Sequence, residues 1–567
     1  MHHQIQRALA ISVVCLLTGA SPWGTSTALS ASPKTAVSKS SERPVPSRRR
    51  ARVHRDSCSG VGQYSFVGGT NANVAYGYSA GVLSGYLDEA CANYSGIGVG
   101  YGNETDGQNA FVGGGTQNNS GDNDAFVGGG YTNLVLPGGQ EAAIVAGYGN
   151  QQSGFGSFIG AGALDFLLGK FSSSGTGGGY YSAIVAGSGN YLNGSVLGQG
   201  NYSMIGAGSG NTLTGDYSAL VSGNANSLSG SNSFLGSGGS NTLGGTYAVI
   251  GGGELNSAGN FYNVIGGGYG NKTTANADIV VGGNTNAATG GWSFVGGGAS
   301  NSAAANYAAV LGGSGNTASG RYAVVGGGST NSATGANAAV GGGLSNAASG
   351  TYATIAGGYK NIAHGLYSFA AGRGAKASNN GSFVWGDDST GVVSSSANNQ
   401  FSARASGGVI FYSTSNLSTG VTLPAGSGSW SSLSDRNVKA GIVGIDNAAI
   451  LAKVVALPVT EWSYAAQGSG IRHVGPMAQD FHAVFGVGED DRHIATVDES
   501  GVALAAIKAL HAENVALRRQ LTRTDARLAR QDDEITSLRT ELARLVTRLP
   551  NGTHHRRLTA RAAATRI

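Results

Sequence analysis

The chain has 567 residues, of which 99 are glycine and only 11% are charged, and its formal net charge is +4. Length alone would allow several domains, but a chain built so heavily from Gly, Ala, Ser and Asn lacks the material for several ordinary compact cores. The arginines gather near the two ends, which leaves the long middle without a basic face and argues against nucleic acid as a partner.

Residues 1–30 place Arg7 before the apolar run Ala8–Leu17 and close on small residues around Ala20 and Ala28, the layout of a secretory signal peptide. A short membrane anchor is the competing reading, but the run is too short to span a bilayer comfortably and no later stretch approaches the roughly eighteen apolar residues that a span needs. The sequence therefore predicts a protein that is secreted or held at a bacterial surface, with no transmembrane segment in the mature chain. Of the three cysteines, Cys15 lies in the signal. Cys58 and Cys91 either bridge in an oxidising compartment or stay unpaired, and the count fits both. Residues 31–57, rich in Ser, Pro and Arg (Arg48–Arg50, Arg52, Arg55), read as a flexible basic linker.

Residues 58–390 are repeats. Asparagines recur every fifteen residues at Asn211, Asn226, Asn241, Asn256, Asn271, Asn286, Asn301, Asn316, Asn331, Asn346 and Asn361, each preceded by a glycine three positions earlier. A globular core gives each position different neighbours, whereas a solenoid offers one environment per coil, so a strict register of this kind predicts stacked coils. Within Tyr322–Gly335 a brief β-prone run leads into glycines, a polar turn near Asn331 and a second glycine turn, which predicts two very short strands per coil. Glycine supplies the left-handed corners, and stacked asparagines can bond one another and the turn backbone. The first third keeps the same vocabulary (Phe66–Gly69, Phe111–Gly115, Phe126–Gly130), with spacing broken near 131–142 and 163–182. So few aliphatic residues per coil enclose little core, which argues for three chains pooling them around one axis.

These repeats, and above all Tyr367–Ser378 followed by Ser382–Asp387, resemble the head repeats of YadA-like trimeric autotransporter adhesins over about 330 residues. The resemblance implies a left-handed parallel β-roll, a homotrimer and binding to a host surface or polysaccharide. The amphipathic strands that would form that family's outer-membrane barrel do not follow. Residues 391–430, including Asn399–Tyr412, alternate apolar and polar positions and read as a β connector at the fibre base.

Near residue 431 the composition changes, with charges, Pro458, Trp462 and His473 arriving together. From Ile507 a heptad pattern runs through Leu510, Leu517, Leu521, Leu528, Ile535, Leu538, Leu542, Leu545 and Leu549, with polar Asn514, Thr524 and Gln531 in the seam, which predicts a coiled coil over 503–549. Residues 550–567 read as a disordered basic tail. The overall class is mainly β: a parallel solenoid head, then a mixed α/β domain ending in a long helical coiled coil.

Three blocks of the last domain, Ser434–Lys439, Ile471–Phe481 and Ile494–Leu510, together resemble the C-terminal intramolecular chaperone of phage tailspikes and endosialidases. That family trimerises its cargo and then cuts itself away as a serine peptidase acting once in cis. The resemblance implies Ser434 as nucleophile, Lys439 as general base and Leu433–Ser434 as the scissile bond. A spacing of five suits neither one helix face nor one strand face, so the pair can meet only across a turn or between chains. A desolvated lysine can accept the serine proton. His473, beside Pro476 and Met477, reads as part of a packed turn. No Cys/His set has zinc spacing and no glycine-rich segment carries the Lys-Ser/Thr of a phosphate loop, so neither metal nor cofactor is expected. The alternative reading is a tailspike-like protein that binds or degrades polysaccharide. Degradation needs paired carboxylates, yet between 201 and 380 the acids are only Asp216, Glu254 and Asp278, with Asp122, Asp124 and Asp165 earlier. The scattered threonines do not fit an ice-binding array.

Overall fold

A coil of this protein is two strands of two residues each, such as Val324–Val325 and Ser332–Ala333, separated by corners that turn the backbone sharply. The strands are short because a left-handed residue stands at each corner: Tyr322 (φ 60°) before the first strand and Thr330 (φ 53°) before the second. Non-glycine residues adopt that conformation reluctantly. Here the stack holds them, since Tyr322 N–H donates to Asn306 O at 3.1 Å and Thr330 N–H to Ser314 O at 2.9 Å. Each strand pairs in parallel with its counterpart in the next coil, Val324 opposite Ala339 and Ser332 opposite Ala347. The result is a parallel β-solenoid with two narrow sheets.

The computed structural model describes residues 58, 61–69, 72–169, 179–194, 200–467 and 470–548. The signal peptide, the basic linker and the tail read from the sequence lie outside the described residues. Two compact units divide the chain, Met1–Gly149 and Asn150–Ile567. Within the first, one sheet runs from Phe66–Val67 to Ala143–Ile144 and the other from Val74–Ala75 to Leu134–Val135. Within the second, the corresponding sheets run from Phe158–Ile159 to Phe401–Arg404 and from Gln151–Gln152 to Val393–Ser394.

The first unit is more regular than its sequence suggests, because Phe66, Gly81, Gly96, Phe111 and Phe126 pair in steps of fifteen residues. Longer steps occur in the regions where the repeat spacing breaks and just beyond them: Phe126 pairs with Ala143, Phe158 with Ala183, and Ala183 with Met204. Across each longer step the strands on either side stay paired in parallel.

Each coil buries its own aliphatic residue, so the single chain has a core, although a thin one. Ile250, Ile265, Val280, Val295, Val310 and Val325 form one column with no exposure. Facing them, Leu213, Leu228 and Leu243 give way to Ala258, Ala288, Ala303 and Ala318. Beside these columns the asparagines form a ladder. Asn226 N–H donates to Asn211 Oδ1 at 3.1 Å, while Asn226 Nδ2 donates to Gly238 O of the following coil at 2.9 Å. Because the side chain satisfies turn backbone in two coils, its burial is compensated. Glycine is required opposite it: at Gly283 (φ 95°) a Cβ would stand 2.2 Å from Gly298 O.

The ladder reaches beyond the positions that the fifteen-residue period marks. Asn73, Asp88, Asn103, Asn118 and Asn133 form one in the first unit, and Asn150, Asp165 and Asn190 precede Asn211 in the second. At Asp88 and Asp165 the Oδ1 atom accepts from the next asparagine as usual, at 2.8 and 2.9 Å. Their Oδ2 atoms take the place of the donating Nδ2 and are buried without a partner. Burial pushes both carboxyls above the ordinary aspartate range.

At the base of the solenoid Arg404 gathers the last turns, with Nε on Asp387 Oδ1 at 2.7 Å and its other nitrogens on the carbonyls of Arg373, Ser389 and Gly391. An antiparallel sheet of Val409–Tyr412, Gly420–Leu423 and Ser431–Ser432 comes next in the chain. Beyond it lie helix α1 (Asn447–Ala456), capped by Asp446, the hairpin Thr460–Trp462 with His473–Gly475, helix α2 (Ala478–Phe485) and helix α3 (Thr496–Thr547). α1 packs on α3, burying Ala505, Ala506 and Ala509. Among the described residues no helix is long and apolar enough to cross a membrane.

Candidate functional site

The site sits where the antiparallel sheet ends. Val421 and Thr422 pair with Ser432 and Ser431, and Leu433 N–H makes a last bond to Gly420 O at 3.2 Å. Leu433 is 49% exposed, so the peptide bond that follows it lies at the surface of this chain. Ser434 then leads into Asp435, whose extended backbone (φ −68°, ψ 133°) begins a single 3₁₀ turn, Arg436–Val438. Aspartate suits this place because its short carboxylate can accept from the free N–H groups of a starting turn. Asp435 Oδ1 accepts from Asn437 N–H at 2.9 Å and from Asn437 Nδ2 at 3.1 Å. The turn closes with Lys439 N–H on Arg436 O at 3.3 Å, and Lys439 resumes an extended conformation.

This reversal brings the lysine back over the serine. Lys439 Nζ donates to Ser434 Oγ at 2.6 Å, with both side chains open to solvent in the single chain. Of the two ways a pair five residues apart can meet, the turn within one chain is the one observed. A short bond of this kind is the geometry a nucleophile and its base require. The sequence pattern points to both partners but not to Asp435, whose signal is an aspartate two residues before the N–H it caps.

His473 is occupied elsewhere. Its ring lies 4.8 Å from that of Trp462 and 5.5 Å from that of Tyr464, and Nε2 meets Gln467 Oε1 at 2.9 Å. His473 thus lies in a strand of the hairpin, paired with Trp462, and not in the turn that Pro476 and Met477 suggested.

Cys58 and Cys91 are joined in a disulfide with their Cα atoms 6.0 Å apart. Glu89 approaches it, as do Glu104 and Asp106, but the sulfurs are spent in the bridge and offer no thiolate to a metal. Glu104 is stacked in register with Glu89. Burial first, then the Asp106 and Glu89 carboxylates, push it up to about 7.

Against known proteins, residues 434–487 match the family described as chaperone of endosialidase. The match opens on Ser434 itself and takes in Lys439, α1, the hairpin and α2, leaving the solenoid and α3 outside it. No curated protein matches the chain. The protein thus joins a parallel β-solenoid to a segment similar to the chaperones of endosialidase.

Proposed function

We propose that this is a secreted, adhesin-like trimeric fibre whose C-terminal domain guides assembly and then releases itself by cutting Leu433–Ser434. The observation that carries the reading is the 2.6 Å contact between Ser434 and Lys439 at the first residues of the family match. Lys439, in its neutral form, takes the proton from Ser434 Oγ, and Oγ attacks the Leu433 carbonyl carbon. The C–N bond to Ser434 breaks, the lysine passes its proton to the leaving amine, and an ester links Leu433 to Oγ. Water then opens the ester, giving a Leu433 carboxylate and restoring the serine hydroxyl.

Because both side chains are exposed in one chain, packing between chains is what excludes water from the pair. Cleavage is thereby tied to assembly. The apolar seam of α3 supplies the contact: Leu510, Leu517, Leu521, Leu528, Ile535, Leu538, Leu542 and Leu545 are all between 46% and 65% exposed, the pattern of a coiled coil awaiting its partners. Alignment is the physical need. Near-identical coils could pair one repeat out of step and lose contacts only at the ends, whereas a seeded coiled coil fixes the chains first. Once the seed is gone, the product is held by a kinetic barrier.

The acids of the head support a binding fibre over a glycan-cleaving one. Asp278 is buried and accepts from Ala275 N–H, Ser293 N–H and Ser293 Oγ; Asp165 is a rung of the ladder; Asp122 accepts from Asn123 N–H and Gly138 N–H. These three are tied to backbone and side chains of their own and adjacent coils and so are poorly placed to serve as the paired carboxylates that glycoside hydrolysis demands. The test is denaturing electrophoresis with and without boiling. Wild type gives two fragments and Ser434→Ala one, the variant remaining trimeric. A Ser434→Ala chain that is still cut at this bond refutes the reading.

A further inference from the structure

We propose that Asp435 is a positioning residue for the Ser434–Lys439 pair, holding the turn that returns the amine to the hydroxyl; the inference rests on the self-cleavage reading above. The chain must reverse within the four residues that separate the pair, at the surface and with none of Arg436, Asn437 or Val438 buried. One 3₁₀ turn has poor intrinsic stability. Its two backbone bonds are long, Val438 N–H to Asp435 O at 3.3 Å and Lys439 N–H to Arg436 O at 3.3 Å. Against these stand the two shorter bonds made by the single atom Asp435 Oδ1, to Asn437 N–H and to Asn437 Nδ2. The lysine side chain is long, and fixing it in one rotamer costs conformational entropy that a frayed turn would leave unopposed. The carboxylate of Asp435 touches neither reacting atom in this geometry, so its contribution is to raise the share of chains in which Nζ already sits on Oγ.

Capping and charge make different demands, and asparagine separates them. Asparagine offers the same oxygen to the Asn437 N–H without the charge. Full-length wild type, Ser434→Ala, Asp435→Ala and Asp435→Asn are expressed, and the cleaved fraction is followed in time across a range of pH, with trimer content measured by sedimentation. Asp435→Ala is expected to cut about fivefold more slowly, the factor by which loss of a typical cap lowers the population of the turn. Its pH profile keeps the wild-type shape, because the base is unchanged. Asp435→Asn is expected to cut at close to the wild-type rate, and all four chains form trimers. Wild-type speed in Asp435→Ala overturns the inference while leaving self-cleavage standing. So does Asp435→Asn as slow as Asp435→Ala, since the charge and not the cap would then matter. If Ser434→Ala is still cut, self-cleavage and the inference fall together.

Discussion

The solenoid and the segment after it solve the problem of burial in opposite ways. In the solenoid most coils close on an inner core, with an aliphatic residue fully buried, an asparagine bonded to the turns of two coils and strands paired above and below, while outward-facing residues such as Leu83, Val99, Val281 and Leu311 stay exposed. From Val409 to Arg548 the only described residues that are buried are Phe481, Ala505, Ala506 and Ala509, while Ile442, Val443, Ile445 and the whole α3 seam stand in solvent. A structure that satisfies itself locally can stack in any register. One that leaves its apolar surface bare can be completed only by a partner, and a heptad seam favours one alignment over the others. On the proposed reading the two regions divide the work, with the repeat supplying length and durability and the unfinished segment supplying the instruction for assembly.

Three changes would break or sharpen that contrast. The largest effect is expected from Leu521→Asp combined with Leu528→Asp. Charges placed in a seam that must be dry oppose association, so sedimentation should show monomer and electrophoresis an uncut chain, with the solenoid's β signal in circular dichroism retained. A trimer that survives would mean the head assembles without instruction. Next comes Ile250→Ala, which empties one fully buried position of a coil. It should cost about 3 kcal/mol in the unfolding of the head and leave the rate of self-cleavage unchanged, because the two regions answer to different interactions. The smallest effect belongs to Asp165→Asn. Burial raises the native carboxyl above its unfolded value near 4, so the native state keeps a proton that the unfolded chain gives up. The stability it contributes is whole below about pH 4, falls as pH climbs from there through the native value, and is flat above it. Asparagine supplies the missing donor at every pH. The variant should match wild type near pH 4 and exceed it by about 1–3 kcal/mol at pH 8, as thermal melts at the two pH values would report.

Much of the fold was legible because a solenoid repeats its environment. The spacing from Asn211 to Asn361 announced the stack and the ladder, and the Tyr322–Gly335 pattern announced two strands per coil. Ser434 and Lys439 were legible from a motif and its flanks, but the motif could not say whether the two meet in one chain. The first unit looked irregular because glycine or phenylalanine can open its strands without altering their pairing, as at Gly81, Gly96 and Phe111. Asp88 and Asp165 are not legible as rungs because they break the residue type of the ladder while keeping its position.

The sequence by itself determined the period, the glycine corners, the change of character near residue 431 and the apolar seam of α3, all of which depend on neighbours a fixed distance along the chain. Only the tertiary structure decided what depends on neighbours across it: that Asp165 meets Asn190 over twenty-five residues of sequence, that Cys58 reaches Cys91, that His473 is held between aromatic rings, and that a capped turn carries Lys439 back to Ser434. The physical reason is that stacking fixes distance in space while loops of different length pass between the same rungs, so separation along the chain stops predicting contact wherever a coil carries an insertion.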